Sequence, residues 1–279
     1  MIKAVRARRP ASVVVRLGFA AVLAAGVVGV TTSPASAATC SVKNRTTSVT
    51  YSDLQAAVTA AGNGDTLRVG GTCDAPVVVT KNLTLTNRVP GVNGIIQGTH
   101  LVTPLTVAYG ATVVVRNLTL VGGGGFYPYS SAYLGGGILN QGALTLDGST
   151  LVTGNIASYG GGIFNEGGFL HVTGHTRITN NYYSGIANYF GVVVVNGHAV
   201  ISGNDGAGIV NTKGSIDGTG SATLSLSGHA TVTGNTGGGV VNDCLASLTV
   251  IHHARVVGNT GGDVVTTGTS TFCNAYITE

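Results

Sequence analysis

The sequence predicts an all-β fold: a right-handed, three-sided parallel β-helix with a short N-terminal capping helix. The first observation is a cassette that returns five times, as Gly-Ser-Thr-Leu-Val-Thr-Gly-Asn (148–155), Gly-His-Thr-Arg-Ile-Thr-Asn-Asn (174–181), Gly-His-Ala-Val-Ile-Ser-Gly-Asn (197–204), Gly-His-Ala-Thr-Val-Thr-Gly-Asn (228–235) and His-His-Ala-Arg-Val-Val-Gly-Asn (252–259). The second is its period: the closing asparagines are 26, 23, 31 and 24 residues apart. A repeat of that length with short apolar runs is one supersecondary unit stacked on its neighbours. The third is that each unit carries three brief alternating runs, enough for three strands per coil.

Residues 1–37 read as a secretory signal. Lys3, Arg6, Arg8, Arg9 and Arg16 precede an apolar run from Leu17 to Val30, and Ala35-Ser36-Ala37 supplies small residues for cleavage before Ala38. The run is too short for a membrane anchor, so no membrane span is expected after signal removal. Pro10-Ala11-Ser12 after Arg8-Arg9 argues for general secretion over the twin-arginine route. What remains, 38–279, reads as a single β-helix domain with its cap helix at about 52–61 and coils at about 66–279.

The cap comes first. Ser52-Asp53-Leu54-Gln55 has the form of a capping box, Leu54, Ala57, Val58 and Ala61 follow at helical spacing, and Gly62 is a stop. A helix there covers an end of the stack whose unpaired backbone groups would otherwise recruit another chain. Strands follow at Thr66 to Val69, Val77 to Thr80, Leu83 to Leu85, Val113 to Val115 and Leu118 to Leu120, each punctuated by Gly or Asn.

Superposing the repeats assigns faces, because successive side chains in a strand point to opposite sides. The first strand turns inward Leu144 and Leu146, Leu170 and Val172, Val193 and Val195, Leu224 and Leu226, Leu248 and Val250. The second turns inward Val152, Ile178, Ile201, Val232 and Val256; the third, after a turn such as Gly160-Gly161-Gly162, Ile138, Ile163, Ile186, Ile209 and Val240. Coils sit about 4.8 Å apart, so equivalent residues stack in columns, and right-handed winding follows the usual sense of parallel crossovers. Asn140, Asn165, Asn188, Asn211 and Asn242 form one polar column and Asn155, Asn181, Asn204, Asn235 and Asn259 another, both read as turn-stabilising ladders.

Four cysteines lie in pairs near the two ends, and export permits disulfides. Cys40–Cys73 and Cys244–Cys273 is the natural pairing of three possible, each bridge closing a loop worth roughly 3 to 4 kcal/mol by chain entropy.

Leu54-Gln-Ala-Ala-Val-Thr-Ala-Ala with Gly64-Asp-Thr-Leu-Arg-Val, then Lys81-Asn-Leu-Thr-Leu and the Gly-Gly-Gly-Ile and Gly-Asn cassettes, resemble secreted right-handed β-helix proteins of the pectin-lyase-like superfamily over nearly the whole of 38–279. Gly-Gly-Gly-Ile-Phe-Asn at 160–165 is also similar to repeats of polymorphic outer-membrane adhesins. The resemblance implies a coil and leaves the chemistry open among lyases, hydrolases and adhesins.

Candidate sites follow from side chains the coil does not need. His175, His198, His229 and His253 share one register, and stacked imidazoles are weak candidates for a shared transition metal, since no carboxylate or cysteine joins them. Asp147, Glu166, Arg177 and Asp205 are the only plausible catalytic participants, and they form no acidic cluster of the kind a lyase or glycosidase gathers. Tyr127, Tyr129, Tyr133, Tyr159, Tyr182 and Tyr183 all fall in the connection between the second and third strands of three successive coils, with Asp205 one coil beyond. Tyrosine presents a flat apolar face and a hydroxyl, which suits a sugar ring, and the loop 122–137 is the longest insertion among the repeats. From Ala38 onward nine Lys and Arg stand against ten Asp and Glu, net −1, which by this reading excludes a cationic partner-seeking surface and with it any ordinary case for nucleic-acid binding. The expectation is a secreted, extracellular or wall-associated monomer without a cofactor that recognises a cell-envelope or extracellular polysaccharide. A polysaccharide lyase or glycoside hydrolase is the alternative, and a structural or adhesive rod the third.

Overall fold

The computed structural model describes residues 39–89, 94–125, 134–213 and 221–267, together with the backbone of 275–277. The chain divides into residues 1–36 and 37–279, and every described element belongs to the second unit. That unit is a three-sided parallel β-helix. Among the described residues three sheets of eleven, eight and eight strands run along it, and apart from two antiparallel strands at one edge of the first sheet, neighbours come from successive coils.

The repeat columns translate directly into strand register. In the first sheet Leu144 lies beside Leu170, then Val193, Leu224 and Leu248. In the second, Val152, Ile178, Ile201, Val232 and Val256 follow one another. In the third, the order is Ile138, Ile163, Ile186, Ile209 and Val240. These residues form one continuous apolar core, with only Val256 partly exposed. The alternation is what produces it: a one-residue slip in any strand would turn its apolar set to water.

Both asparagine columns point into the coil and are buried. Each Nδ2 donates to the Oδ1 of the next coil: Asn140 to Asn165, then Asn188, Asn211 and Asn242, at 2.6 to 2.8 Å. The other ladder runs from Asn155 through Asn181, Asn204 and Asn235 to Asn259 at 2.8 to 3.1 Å. Both therefore have a direction. The Oδ1 of Asn140, first acceptor of its ladder, has no partner, whereas the second ladder ends on a charge: the backbone and side-chain N–H groups of Asn259 both donate to Asp263 Oδ1 at 3.0 Å. Those two bonds hold the Asp263 carboxyl below its ordinary range.

A carboxylate with a depressed folded-state pKa contributes stability that is present above its unfolded value and lost as pH falls through the folded one. The melting temperature should therefore decline below about pH 4. Asp263→Asn is expected to lower it at neutral pH and to flatten that acid limb; a limb of unchanged steepness in the variant would show that Asp263 does not anchor the ladder.

The N-terminal end departs from the sequence expectation in two places. The helix spans Leu54–Ala60, and Asp53, not Ser52, is its cap, accepting from Ala56 N at 2.6 Å. Gln55 does not close a capping box; it bonds the backbone of Val78, accepting from its N–H and donating to its carbonyl. This ties the helix to the third sheet while Leu54, Ala57 and Val58 enter the core. The edge of the first sheet is covered separately. Strand Ser41–Asn44 pairs antiparallel with Thr66–Gly70 and with Thr50–Tyr51, so a hairpin, absent from the sequence reading, closes that edge. Strands Thr72–Asp74, Gly94–Gln97 and Leu105–Val107 were also unanticipated.

Cys40 and Cys73 are joined, stapling the residues just before that hairpin to the second sheet. Cys244 is also disulfide-bonded; Cys273 lies outside the described residues. No helix among the described residues is long and apolar enough to cross a membrane.

Candidate functional site

The connection between the second and third sheets is itself ordered across coils. Bridges link Gly124 to Ile156, Ile156 to Tyr182, and Leu134 to Tyr159, so this flank continues the stacking without full strands. Tyr159, Tyr182 and Tyr183 lie there, 46%, 48% and 50% exposed. Tyr127, Tyr129 and Tyr133 lie outside the described residues.

The described tyrosines line two adjoining cavities. One, of about 360 Å³, is bounded by Tyr182, Tyr183, Ile156, Ala157, Leu101 and His100. Its neighbour, of about 200 Å³, is bounded by Tyr159, Tyr183, Tyr189, Ser184 and Val210, and the two share Ser158 and Tyr183. Tyr182 and Tyr183 meet edge to face at 4.9 Å. Such pairs hold each other's orientation, which keeps a flat face toward solvent at small entropic cost.

Tyr189 escaped the sequence reading. It occupies an outward position of a third-sheet strand, Ile186–Tyr189, and packs edge to face on Tyr159 at 5.8 Å and against Phe164 at 5.0 Å. Phe164 points outward yet is 4% exposed, with the Tyr189 ring packed against it. Burial, with repulsion from Tyr159, pushes the Tyr189 hydroxyl up to about 12. It is a neutral phenol at physiological pH and part of the wall. His100 and Leu101, in the connection after strand Gly94–Gln97 three coils before Tyr182, were missed as well; nothing local in their sequence announces that they line a cavity with Tyr182.

The catalytic candidates are dispersed. Asp147 ends a first-sheet strand, bonded to the Arg116 guanidinium and to Gly148 N. Partial burial works against its ionisation, but the Gly148 N–H and Arg116 outweigh it and hold the carboxyl below its ordinary range. Glu166 ends a third-sheet strand and accepts from Gln141 at 2.8 Å. Arg177 faces outward on the second sheet, and Asp205 is exposed on the connection without lining either tyrosine cavity. The sheets thus hold these four apart.

The histidine column exists as a stack. Ring centroids are 5.2 Å apart from His175 to His198, 5.0 Å to His229 and 5.6 Å to His253, with interplanar angles of 12°, 5° and 27°. Near-parallel rings present their π faces to one another instead of converging ring nitrogens on a point. Among the described residues no group of three or more His, Cys, Asp or Glu is placed to hold a metal ion.

One reading is overturned. A net charge near zero does not exclude a cationic surface, because the topology gathers five of the nine cations found after residue 37, namely Lys43, Arg45, Arg68, Arg88 and Arg116, on or beside four neighbouring strands of the first sheet. Arg116–Asp147 is the single ion pair among the described residues.

A three-sided parallel β-helix with an aromatic cavity on one flank is the class this geometry defines. Comparison with protein-family models, curated proteins and solved structures found no match to the chain.

Proposed function

We propose that the chain is a secreted β-helix of the pectin-lyase-like kind that recognises an extracellular or cell-envelope polysaccharide, without turnover, through the tyrosine flank between its second and third sheets. The observation that carries this is the cavity of about 360 Å³ in which half-exposed Tyr182 and Tyr183 stand beside Ile156 and Leu101. Rigid apolar walls with a few hydroxyls are what a sugar ring requires, since its C–H face stacks on an aromatic ring while its hydroxyls need hydrogen-bond partners. The dispersal of Asp147, Glu166, Arg177 and Asp205 over three sheets and a connection favours binding over cleavage, because acid and base must reach one bond. The Cys40–Cys73 bridge suits an oxidising compartment.

The test is retention of residues 38–279 on a polysaccharide array. Tyr159→Ala with Tyr182→Ala removes one ring from each cavity, and at about 0.5 to 1.5 kcal/mol per ring the affinity should fall roughly tenfold. An array on which wild type and double variant behave alike would remove this reading. New reducing or unsaturated ends in the bound glycan would replace it with an enzyme.

A further inference from the structure

The cationic face belongs to no site described so far. Lys43 pairs with Arg68, Arg68 with Thr86, Thr86 with Arg116, and Arg116 with Asp147, so these residues form one outward row across five strands of the first sheet. Their inward neighbours Val42, Leu67, Val69, Leu85 and Val115 are all buried. Arg45, directly after the first of these strands, joins Arg68 and Arg116 around a concavity of about 380 Å³ whose floor includes Thr66, Thr84 and Thr86. Arg88 lies over Gly70 on the same face, its guanidinium donating to Ser41 Oγ.

The arrangement is electrostatically unfavourable by itself. Lys43 sits directly opposite Arg68, and like charges in that relation destabilise a sheet. Asp147, already paired with Arg116, is the one carboxylate in the row. The fold thus holds Lys43, Arg45 and Arg68 without an acidic partner among the described residues, and an external anion would relieve the repulsion.

Three features specify that anion. The row extends over several strands about 4.8 Å apart, so it matches repeated charges along a polymer better than one small ion. Four of the five cations on this face, Arg45, Arg68, Arg88 and Arg116, are arginines, whose planar forks grip oxyanions bidentately, and the threonine hydroxyls between them add donors from a further direction. That donor set suits a tetrahedral group with three terminal oxygens. No aromatic side chain stands at the outward positions of strands Ser41–Asn44, Thr66–Gly70, Leu83–Asn87 or Thr112–Arg116, which removes the stacking platform that single-stranded nucleic acid needs.

We infer that the outward face of the first sheet at its N-terminal end binds a linear polysaccharide bearing sulfate or phosphate ester groups, held by Arg45, Arg68 and Arg116. This face is on a different side of the coil from the tyrosine cavities and stands independently of them.

Residues 38–279 are tested by calorimetry at low salt against dextran sulfate, a phosphorylated dextran, neutral dextran, polygalacturonate and duplex DNA. Expected are binding to one or both ester polymers that weakens with salt, none to neutral dextran, and weaker binding to polygalacturonate and DNA. The two ester arms separate the sources of the tetrahedral group. Arg45→Gln with Arg68→Gln, both at unpaired surface cations, should weaken binding at least tenfold with the melting temperature kept, while Arg177→Gln with Arg255→Gln, which removes the same charge from the second sheet, should not. Absence of binding to either ester polymer overturns the inference, as does equal loss in the two charge variants. Equal affinity for DNA or polygalacturonate overturns the assigned chemistry. The Tyr159→Ala, Tyr182→Ala variant should bind the ester polymer as wild type does, so failure of one site is distinguishable from failure of the other.

Discussion

Asn204→Asp should destabilise the coil by about 3 to 5 kcal/mol at pH 7, although it changes one buried nitrogen to oxygen and leaves side-chain shape intact. Asn204 is fully buried. Its Oδ1 accepts from the backbone and side-chain nitrogens of Asn181 at 3.0 and 3.1 Å, and an aspartate could still do so. Its Nδ2 donates to Ile178 O at 3.2 Å and to Asn235 Oδ1 at 2.8 Å; a carboxylate oxygen there would face two acceptors. The variant must bury a repelled anion or take up a proton and donate from the acid. Its carboxyl is thus raised in the folded state, so its deficit relative to wild type should be largest at neutral pH and shrink as pH falls below the folded value. Asn204→Ala separates polarity from shape. It orphans the Asn181 backbone N–H and takes one donor from the Ile178 carbonyl, for roughly 2 to 4 kcal/mol, with no such pH dependence. Denaturant midpoints of the two variants at pH 7 and pH 5 decide the matter, and parallel losses at both would mean that the ladder's direction carries no energy. Aspartate is tolerated at 263 for the complementary reason: at the end of the ladder only acceptance is required.

This polarity shows where the sequence is transparent. Strand period and coil period are both short-range, so superposing the cassettes places Leu144 with Leu170 and Ile163 with Ile186 without knowledge of distant residues. The coils before Gly148 lack the complete cassette, and there Gly94–Gln97 and Leu105–Val107 passed unseen. The hairpin at Ser41–Asn44 was hidden for another reason: an antiparallel strand added to the edge obeys no repeat.

The candidate sites were legible only where they follow a column. Tyr159 and Tyr182 fall in equivalent connections, so their proximity could be read, but Tyr189 reaches Tyr159 from a strand of the next coil. The cationic face was obscured by averaging. Net charge sums over all three sides, whereas recognition depends on which side carries the charge, and Lys43, Arg68 and Arg116 come onto one row only through the antiparallel edge strand and the register of unequal coils.

The same close stacking makes Gly161→Ala the second substitution of large expected effect. A Cβ at Gly161 would lie 1.7 Å from the carbonyl oxygen of Tyr182, a backbone atom of the next coil. Tyr182 cannot simply retreat, because its N–H is bonded to Asn155 O at 2.8 Å and its backbone bridges Ile156. Accommodating one methyl must spread the coils along the whole connection, at a cost of about 3 kcal/mol or more, the upper end for overpacking. Gly167→Ala is the informative contrast. Gly167 has φ +66° with nothing within 4 Å of its would-be Cβ, so it probes left-handed backbone alone and should cost only about 1 kcal/mol. Denaturant midpoints measure both. The chain has no tryptophan and ten tyrosines, so near-ultraviolet circular dichroism reports on the aromatic flank, and its signal should change in Gly161→Ala and persist in Gly167→Ala. Equal losses in the two variants would mean that the approach of adjacent coils beneath Tyr182 costs no more than the left-handed backbone at Gly167; a Gly161→Ala protein that folds normally but no longer binds glycan would place the tyrosine orientation under the direct control of that approach.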